Sequence, residues 1–271
     1  ITQASQPFTD RFVVLGSASI SRYFKHGIES AFVTSRIAAN SVFESGISER
    51  AFYRGYYKPV KKLFGSDNSY GRKVFGLNDF ITSRRRISSG YLSALESGTG
   101  RKLSVSKMQL EILWDMFTGS ISFKKLFLNV FDPILQFRLL PVTVTAWTKQ
   151  AVESTVGGRK LRRAGRLKRL VNKGLGPLED GQTVVIIGGG PGGTSCAITL
   201  SRLAKRRNMD LNIVLYEGKD FGKNEQFNPC VGVLSPPIEE ILEKDLGIPF
   251  PYNLVLEKIP GYYLHSDDED I

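Results

Sequence analysis

The clearest pattern of hydrophobic positions lies between residues 184 and 216. Val184 to Ile187 is a β-branched run without a polar side chain, which is typical of a strand buried on both faces of a parallel sheet. A helical pattern follows over roughly Gly192 to Arg207, and a second apolar run covers Leu211 to Tyr216. The order predicts a strand, a helix and a second strand, which together form a β-α-β unit.

The first half of the chain has one short strand pattern and several helical ones. Phe12 opens an apolar run that ends in Gly16, and residues 22–43 then follow helical spacing. Residues 48–75 predict one or two further helices, and 105–149 also alternate apolar and polar positions at helical spacing. The expected buried stripe of the segment 48–75 consists of Tyr53, Tyr56, Tyr57, Val60, Leu63 and Phe64.

Glycines fill the turn between the predicted strand at 184–187 and its helix. Gly188, Gly190 and Gly193 have the G-x-G-x-x-G spacing, in which the glycines permit a tight turn, approach of a pyrophosphate, and close helix–strand packing. The helix start would direct its N–H groups at that anion. Glu217 ends the second apolar run, where a carboxylate accepts hydrogen bonds from ribose hydroxyls and repels a 2′-phosphate. The pattern predicts FAD or NAD rather than NADP, and the alternative is a glycine turn with no ligand.

Composition excludes several classes of site. The two cysteines, Cys196 and Cys230, form no metal-ligand or disulfide pattern, which is typical of a reducing compartment and favours the cytoplasm. His26 and His265 have no neighbours at ligand spacing, so we expect no metal. No uncharged apolar run approaches the length of a transmembrane helix. Because the sequence begins at Ile1, we expect a fragment of a longer protein.

Positive charge is concentrated between the two halves. The formal net charge is +11, and residues 151–175 carry +7 of it. Within this segment, residues 157–173 combine basic side chains with leucines and predict a short basic amphipathic helix, which would be drawn to an anionic membrane surface. A solvated linker is the alternative. Two shorter basic runs, Lys61–Lys62 and Arg84–Arg86, are interpreted as solvated ends of helices, and because no exposed aromatic side chains alternate with them we expect no binding to nucleic acid.

The second half resembles the amino-terminal part of the FAD-dependent geranylgeranyl reductase family. The resemblance covers Val184 to Glu217 and the loop that begins at Asn228. In that family a Cys-Gly-Gly-type loop lies near the isoalloxazine ring. Cys230 and Gly232 match that loop, and Val231 replaces the usual glycine. The resemblance implies FAD as the cofactor.

Residues 12–43 resemble the second FAD motif of the same flavoproteins, which lies near their carboxyl end. That motif is a strand, a Gly-Asp-Ala-Ala turn and a glycine-led helix beside the flavin. Gly16, Gly27 and Ile28 match it. Ser17 stands where the family has aspartate, and a hydroxyl gives a weaker hydrogen bond than a carboxylate.

The resemblance implies three segments in reversed order. Residues 1–150 form a carboxyl-terminal part of one flavoprotein-like domain, 151–180 a basic Gly-rich linker, and 181–271 the amino-terminal FAD-binding Rossmann part of a second. We therefore expect an α/β fold, with a Rossmann-like FAD-binding β-α-β unit in the second half and an α-rich flavoprotein carboxyl-terminal region in the first. This order indicates the junction of two tandem units, the first ending near Gln150 and the second starting near Gly181, and one circularly permuted unit is the alternative.

The implied function is that of an FAD-dependent oxidoreductase similar to prenyl reductases. Such an enzyme takes electrons from an external donor and reduces alkenes of a long apolar, prenyl or lipid-like substrate by hydride transfer from the flavin. A flavin monooxygenase or halogenase of the same fold is the first alternative. The second is a degenerate, non-catalytic flavoprotein domain with a role in assembly or membrane docking. A tandem junction would leave each FAD site half built, so the chain alone would bind FAD weakly.

Overall fold

The protein is a mixed α/β molecule. A computed structural model describes residues 4–23, 27–84, 105–133, 175–220, 222 and 232–261. The chain divides into two compact units. Unit 1 comprises Ile1–Ser69, Thr118–Ser120 and Asn172–Leu254, and unit 2 comprises Tyr70–Phe117, Ile121–Val171 and Val255–Ile271. Unit 1 therefore contains parts of both halves of the sequence.

The described strands and helices occur in a fixed order along the chain. The strands are β1 (Phe8–Thr9), β2 (Phe12–Val13), β3 (Thr183–Ile187) and β4 (Asn212–Tyr216). The first helices are α1 (Gly27–Glu44), α2 (Glu49–Phe52), α3 (Lys58–Val60) and α4 (Ser66–Thr82). The later helices are α5 (Val105–Thr118), α6 (Phe123–Val130), α7 (Pro191–Arg206) and α8 (Ile238–Glu240).

The predicted β-α-β order is present in unit 1. β3 and β4 pair in parallel, from Thr183 opposite Asn212 to Ile187 opposite Tyr216, and α7 connects them. Alternate residues of β3 face α7, and Ile186 is buried there. The expectation that β3 is buried on both faces is wrong, because Val185 is 55% exposed and Ile187 is 85% exposed. Nothing among the described residues covers that face of the two-stranded sheet.

The first apolar run forms a much shorter strand than its pattern predicts. β2 pairs with β1 in an antiparallel hairpin, and Arg11 adopts φ +62° in the turn. This hairpin is a separate sheet from β3 and β4 in the described structure. A turn of 3-10 helix over Gly16–Ala18 then leads towards α1.

Helix α1 lies at the centre of unit 1. Its residues Ala39 and Phe43 pack with Ile186 of β3 and with Cys196 and Leu200 of α7. Three clusters of buried side chains share this helix. They contain Ala39 and Phe43 with β3 and α7, Ala38 with Phe8, Phe52, Tyr56, Val60 and Phe64, and Phe32 with Ile241 and Leu246. Because α1 packs against neighbours on several sides, little of its surface is exposed, and the polar residues that it buries have short side chains.

The helical segment after α1 contains two π-helical turns. They cover Tyr53–Tyr57 and Lys61–Gly65. Its buried side chains stand four residues apart at Phe52, Tyr56, Val60 and Phe64. In an α-helix this spacing overshoots a full turn by about 40°, and the wider π turns compensate for that drift.

Two residues of the stripe predicted for this segment lie outside its core. Tyr53 is 46% exposed and Leu63 is 52% exposed, so the expectation that they are buried is wrong. The prediction assumed the period of an α-helix, which the π turns change. Tyr53 still packs one side of its ring near Tyr57 and Phe8.

Unit 2 has its own helical core. Val74 and Phe75 of α4 pack with Ile112 and Met116 of α5, and with Phe123 and Leu126 of α6. Gly71 permits this contact, because a methyl group added there would lie 2.9 Å from the Phe123 ring. Helix α6 begins after Ser122, whose hydroxyl accepts a hydrogen bond from the Lys125 N–H at 3.3 Å. None of the described helices has the length and apolar character needed to cross a membrane.

Candidate functional site

Gly188 and Gly193 close the connection between β3 and α7. Gly188 has φ +101°, in the left-handed region that favours glycine, and its N–H donates to the Tyr216 carbonyl at 2.7 Å. A methyl group added at Gly193 would lie 1.8 Å from the Gly188 carbonyl oxygen, far inside contact distance. Glycine at 193 is therefore required by the fold itself, before any ligand is considered.

Gly190 differs from the two glycines beside it because its surroundings are open. It is the N-cap residue of α7, and a methyl group added there would meet no atom within 4 Å. Pro191 follows at the first helical position, where its missing N–H costs nothing. The next N–H groups, of Gly192 and Gly193, belong to the first helical turn and have no carbonyl acceptor within the helix. This helix start presents backbone donors and the positive end of the helix dipole to open space.

Glu217 lies at the carboxyl end of β4, beside the glycine loop. Its Oε2 accepts a hydrogen bond from the Gly189 N–H at 2.5 Å, and its Oε1 accepts one from the Lys219 N–H at 2.8 Å. The Lys219 amide, followed by the Gly189 amide, lowers the pKa of Glu217, because both donate to the charged carboxylate. The side chain is exposed and ionised at neutral pH. It joins the ends of two parallel strands, which is where α/β sheets bind ligands.

The first glycine turn lies close to the start of α7. Gly16 has φ +65°, and its N–H donates to the Thr34 hydroxyl of α1 at 2.8 Å. A methyl group added at Gly16 would lie 3.6 Å from the Ala31 side chain, and one added at Gly192 would lie 3.7 Å from the same methyl group. The Ala31 side chain thus lies between the two glycine motifs, and it is only a methyl group. The structure brings together two motifs that are more than 170 residues apart in the sequence.

A hydrogen bond fastens α1 to α7 at this point. The Ser35 hydroxyl donates to the Gly192 carbonyl at 2.7 Å and lies 2.6 Å from the Ala31 carbonyl of its own helix. Ser35 is fully buried. Short side chains at this contact let the two helices approach closely, since a longer side chain would fill the space that α7 occupies.

The other residues predicted to bind the cofactor with Gly16 lie at the amino end of α1. Gly27 begins the helix, and Ile28 is half-buried in its first turn. The Ser17 hydroxyl would lie 3.8 Å from a methyl group added at Gly27. Ser17 therefore stands near the positive end of the α1 dipole, where a negatively charged group is favoured.

The predicted flavin-proximal loop is described in part. Gly232 has φ +75° in the coil before α8, and a methyl group added there would meet no atom within 4 Å. Cys230 lies outside the described residues. The candidate site therefore consists of the glycine loop, Glu217 and the Gly16 turn, with no catalytic residue assigned.

Cys196 and Tyr56 lie behind the site in the core of unit 1. Burial raises the pKa of the Cys196 thiol to about 12, so the thiol is protonated at neutral pH and is a packing group rather than a nucleophile. Burial also raises the pKa of Tyr56 to about 12, against the opposing hydrogen bond with Ser19. The Tyr56 hydroxyl donates to the Val14 carbonyl at 2.7 Å, which holds the segment that leads into Gly16.

No group of three His, Cys, Asp or Glu side chains in the described ranges has the arrangement of a metal site. Comparisons with models of protein families, with curated proteins and with solved structures return no match. What the site binds is therefore inferred from its own residues.

Sequence reasoning missed the residues that join the two motifs. Ala31, Thr34 and Ser35 were part of a helical pattern whose function was not recognised. Their signal is the run of small residues at 31, 34, 35, 38 and 39, which has helical spacing and marks a close helix–helix contact. The pattern does not say which helix is the partner, so the contact with α7 required the structure.

Proposed function

We propose that unit 1 binds FAD at one composite site made from both glycine motifs, and that the protein is an FAD-dependent oxidoreductase. The arrangement of Gly190 and Glu217 at the ends of two parallel strands carries this proposal. The space over Gly190 is open, since a methyl group added there would meet no atom within 4 Å, and this leaves room for the close approach of a pyrophosphate. Glu217 stands where an adenosine ribose would be bound.

The glycine loop and Glu217 would bind different parts of the cofactor. The Gly192 and Gly193 N–H groups at the start of α7 would donate to the pyrophosphate. Glu217 would exchange its bond from the Gly189 N–H for bonds from the ribose hydroxyls, and its charge disfavours a 2′-phosphate. FAD and NAD therefore fit this end better than NADP.

The Gly16 turn supports FAD in particular, because it supplies a further contact region next to the glycine loop. The Gly16 turn and the start of α7 both lie beside Ala31, because a methyl group added at Gly16 or at Gly192 would be in contact distance of its side chain. A dinucleotide with a long ribityl arm extends past its pyrophosphate, and in a shared site the Ser17 hydroxyl at the start of α1 would contact that arm. This packing supports one site shared by the two motifs, as in a circular permutant, over two half-built sites at a tandem junction.

The reaction class follows from the resemblance and stays a proposal. A bound flavin supplies hydride transfer from its N5. The chain's own residues would bind the adenosine end, donate backbone hydrogen bonds to the pyrophosphate and orient the cofactor. We propose alkenes of a long apolar, prenyl or lipid-like molecule as the substrate and an external donor as the source of electrons, with a monooxygenase or halogenase as the alternative use of the same flavin.

An equilibrium binding experiment tests the proposal. The full chain is mixed with FAD, passed over a desalting column, and its visible spectrum is recorded beside the quenching of flavin fluorescence. We expect bound flavin, and we expect Gly190→Ala to weaken binding while Gly76→Ala, which also adds a methyl group in open space, has no effect. A colourless protein that does not quench FAD at any concentration would contradict the proposal and favour a non-catalytic domain.

A further inference from the structure

Helix α6 of unit 2 has an outer face that combines lysines with bare apolar side chains. Phe123 and Leu126 are buried in the core, whereas Lys124, Lys125 and the 59% exposed Leu128 point outwards. Phe131, which follows the helix, is 50% exposed. Residues 124, 128 and 131 recur at helical spacing and so share one side of the helix. The lysines stand at its amino end and the apolar side chains at its carboxyl end.

This surface is unlike an ordinary solvated helix face. A helix that covers a core has polar residues on its other side, but α6 exposes a leucine and a phenylalanine next to its lysines. The Phe131 ring packs against the Phe127 ring with centroids 4.6 Å apart, which fixes its position on this face. Lys73 of α4 lies 5.4 Å from the centroid of that Phe127 ring and adds a further positive charge nearby.

Charge complementarity identifies the occupant of the face. Lys73, Lys124 and Lys125 bring three positive charges to this part of unit 2, against the one carboxylate of Asp132, which follows Phe131. A protein partner would have to supply an acidic surface together with an apolar one. An anionic bilayer supplies both, because lysine ammonium groups bind its headgroups while leucine and phenylalanine enter the boundary of the acyl chains.

We infer that the outer face of α6 docks on an anionic lipid bilayer, with Lys124 and Lys125 at the headgroups and Leu128 and Phe131 inserted at the interface. The basic segment at 157–173 would add attraction without being sufficient. This inference concerns unit 2 and does not depend on FAD binding in unit 1, so the two can fail separately.

The test measures co-sedimentation of the full chain with vesicles. One set contains phosphatidylcholine alone and the other contains phosphatidylcholine mixed with phosphatidylserine, each in low and high salt. We expect binding to the anionic vesicles, loss of binding in high salt, and little binding to the neutral vesicles. Equal binding to both vesicle types, or no binding to either, would overturn the inference.

Paired variants locate the binding surface. Lys124→Gln with Lys125→Gln should weaken binding about thirtyfold, since each basic residue near the surface contributes about one kcal/mol. The matched control is Lys61→Gln with Lys62→Gln, an exposed lysine pair of unit 1 that precedes the exposed Leu63. The control removes the same charge and should leave more than half of the binding. Equal losses from both pairs would show unspecific attraction and overturn the inference.

A second pair tests the apolar contribution. Leu128→Ser with Phe131→Ser should weaken vesicle binding about tenfold or more, and Leu63→Ser should not change it. Circular dichroism should stay unchanged and show that the variants are folded, while the melting temperature of the Phe131→Ser variant should fall by a few degrees because its ring no longer packs on Phe127. Wild-type binding by the α6 variants would assign the membrane contact to residues 157–173 and overturn the inference. A dimer that these variants dissolve, in the absence of vesicle binding, would identify a second copy as the occupant and overturn it as well.

Discussion

The hydroxyl of Ser35 donates a hydrogen bond to the carbonyl of Gly192 at 2.7 Å. This bond connects the helix that follows the first glycine turn to the helix that follows the glycine loop. The two residues are 157 positions apart in the sequence. Together with the packing of Ala39 and Phe43 against α7, this contact holds the two glycine motifs in one compact unit.

Replacing Ser35 tests that connection. Ser35→Ala should lower the free energy of unfolding by about 1 kcal/mol, because a buried hydrogen bond is lost without a large cavity. The control is Ser66→Ala, whose exposed hydroxyl bonds the Lys62 carbonyl of its own helical segment, and which should have a smaller effect. The measurement is urea unfolding followed by circular dichroism. An unchanged midpoint for Ser35→Ala would mean that the bond does not hold the two helices together.

Two glycines of the loop should behave in opposite ways on substitution by alanine. Gly193→Ala forces a methyl group against the Gly188 carbonyl and should destabilise the protein by about 3 kcal/mol or more, because backbone has to move. Gly190→Ala faces open space and should change stability by no more than about 1 kcal/mol. Thermal unfolding of the two variants decides the matter. Equal destabilisation would show that the loop differs from the geometry described.

Glu217 should make a pH-dependent contribution to stability. Backbone donors lower its pKa in the folded protein, so its contribution is fully present above the ordinary glutamate pKa of about 4.3 and is lost as the pH falls through the lowered value. Glu217→Gln removes the carboxylate and should remove this dependence. Unfolding of both proteins from neutral pH down to about pH 3 should show a difference at neutral pH that shrinks in acid. A constant difference across that range would exclude the carboxylate as its cause.

Tyr56 should link stability to alkaline pH. Its pKa rises from about 10 to about 12 on folding, so its contribution is fully present below pH 10 and is lost as the pH rises through about 12. Tyr56→Phe should cost about 1 kcal/mol at neutral pH through the lost bond to Val14, and should flatten the decline above pH 10. Denaturant unfolding at a series of alkaline pH values measures both effects. Identical alkaline profiles for the two proteins would assign the decline to other groups, of which Cys196 is one.

Local features of the fold could be predicted from the sequence, whereas long-range ones could not. The strand at Val184, the glycine turn and helix α7 depend on neighbouring residues, and the structure contains them. The exposure of Ile187 could not be predicted, because the sequence of an apolar strand does not show whether one face or both faces of the strand are covered. The outward position of Leu63 depends on π turns that the helical pattern does not encode. The contact of Ser35 with Gly192 depends on how distant segments pack.

The central claim is that both glycine motifs serve one FAD molecule, and a gain of affinity tests it most directly. Ser17→Asp places a carboxylate at the Gly16 turn, near the start of α1, where the resembling family carries aspartate. If the turn faces the cofactor bound at Gly190, this carboxylate gains a charge-assisted hydrogen bond with the ribityl or ribose hydroxyls. Ser66→Asp, the same change at the start of α4, is the control.

The measurement is the dissociation constant for FAD from quenching of flavin fluorescence, for the wild-type chain, Ser17→Asp, Ser66→Asp and Gly190→Ala. A composite site predicts that Ser17→Asp binds FAD about tenfold more tightly, that Gly190→Ala binds at least tenfold more weakly, and that Ser66→Asp equals the wild type. A dissociation constant that changes with Gly190→Ala but not with Ser17→Asp would contradict a shared site and return the two motifs to separate flavins.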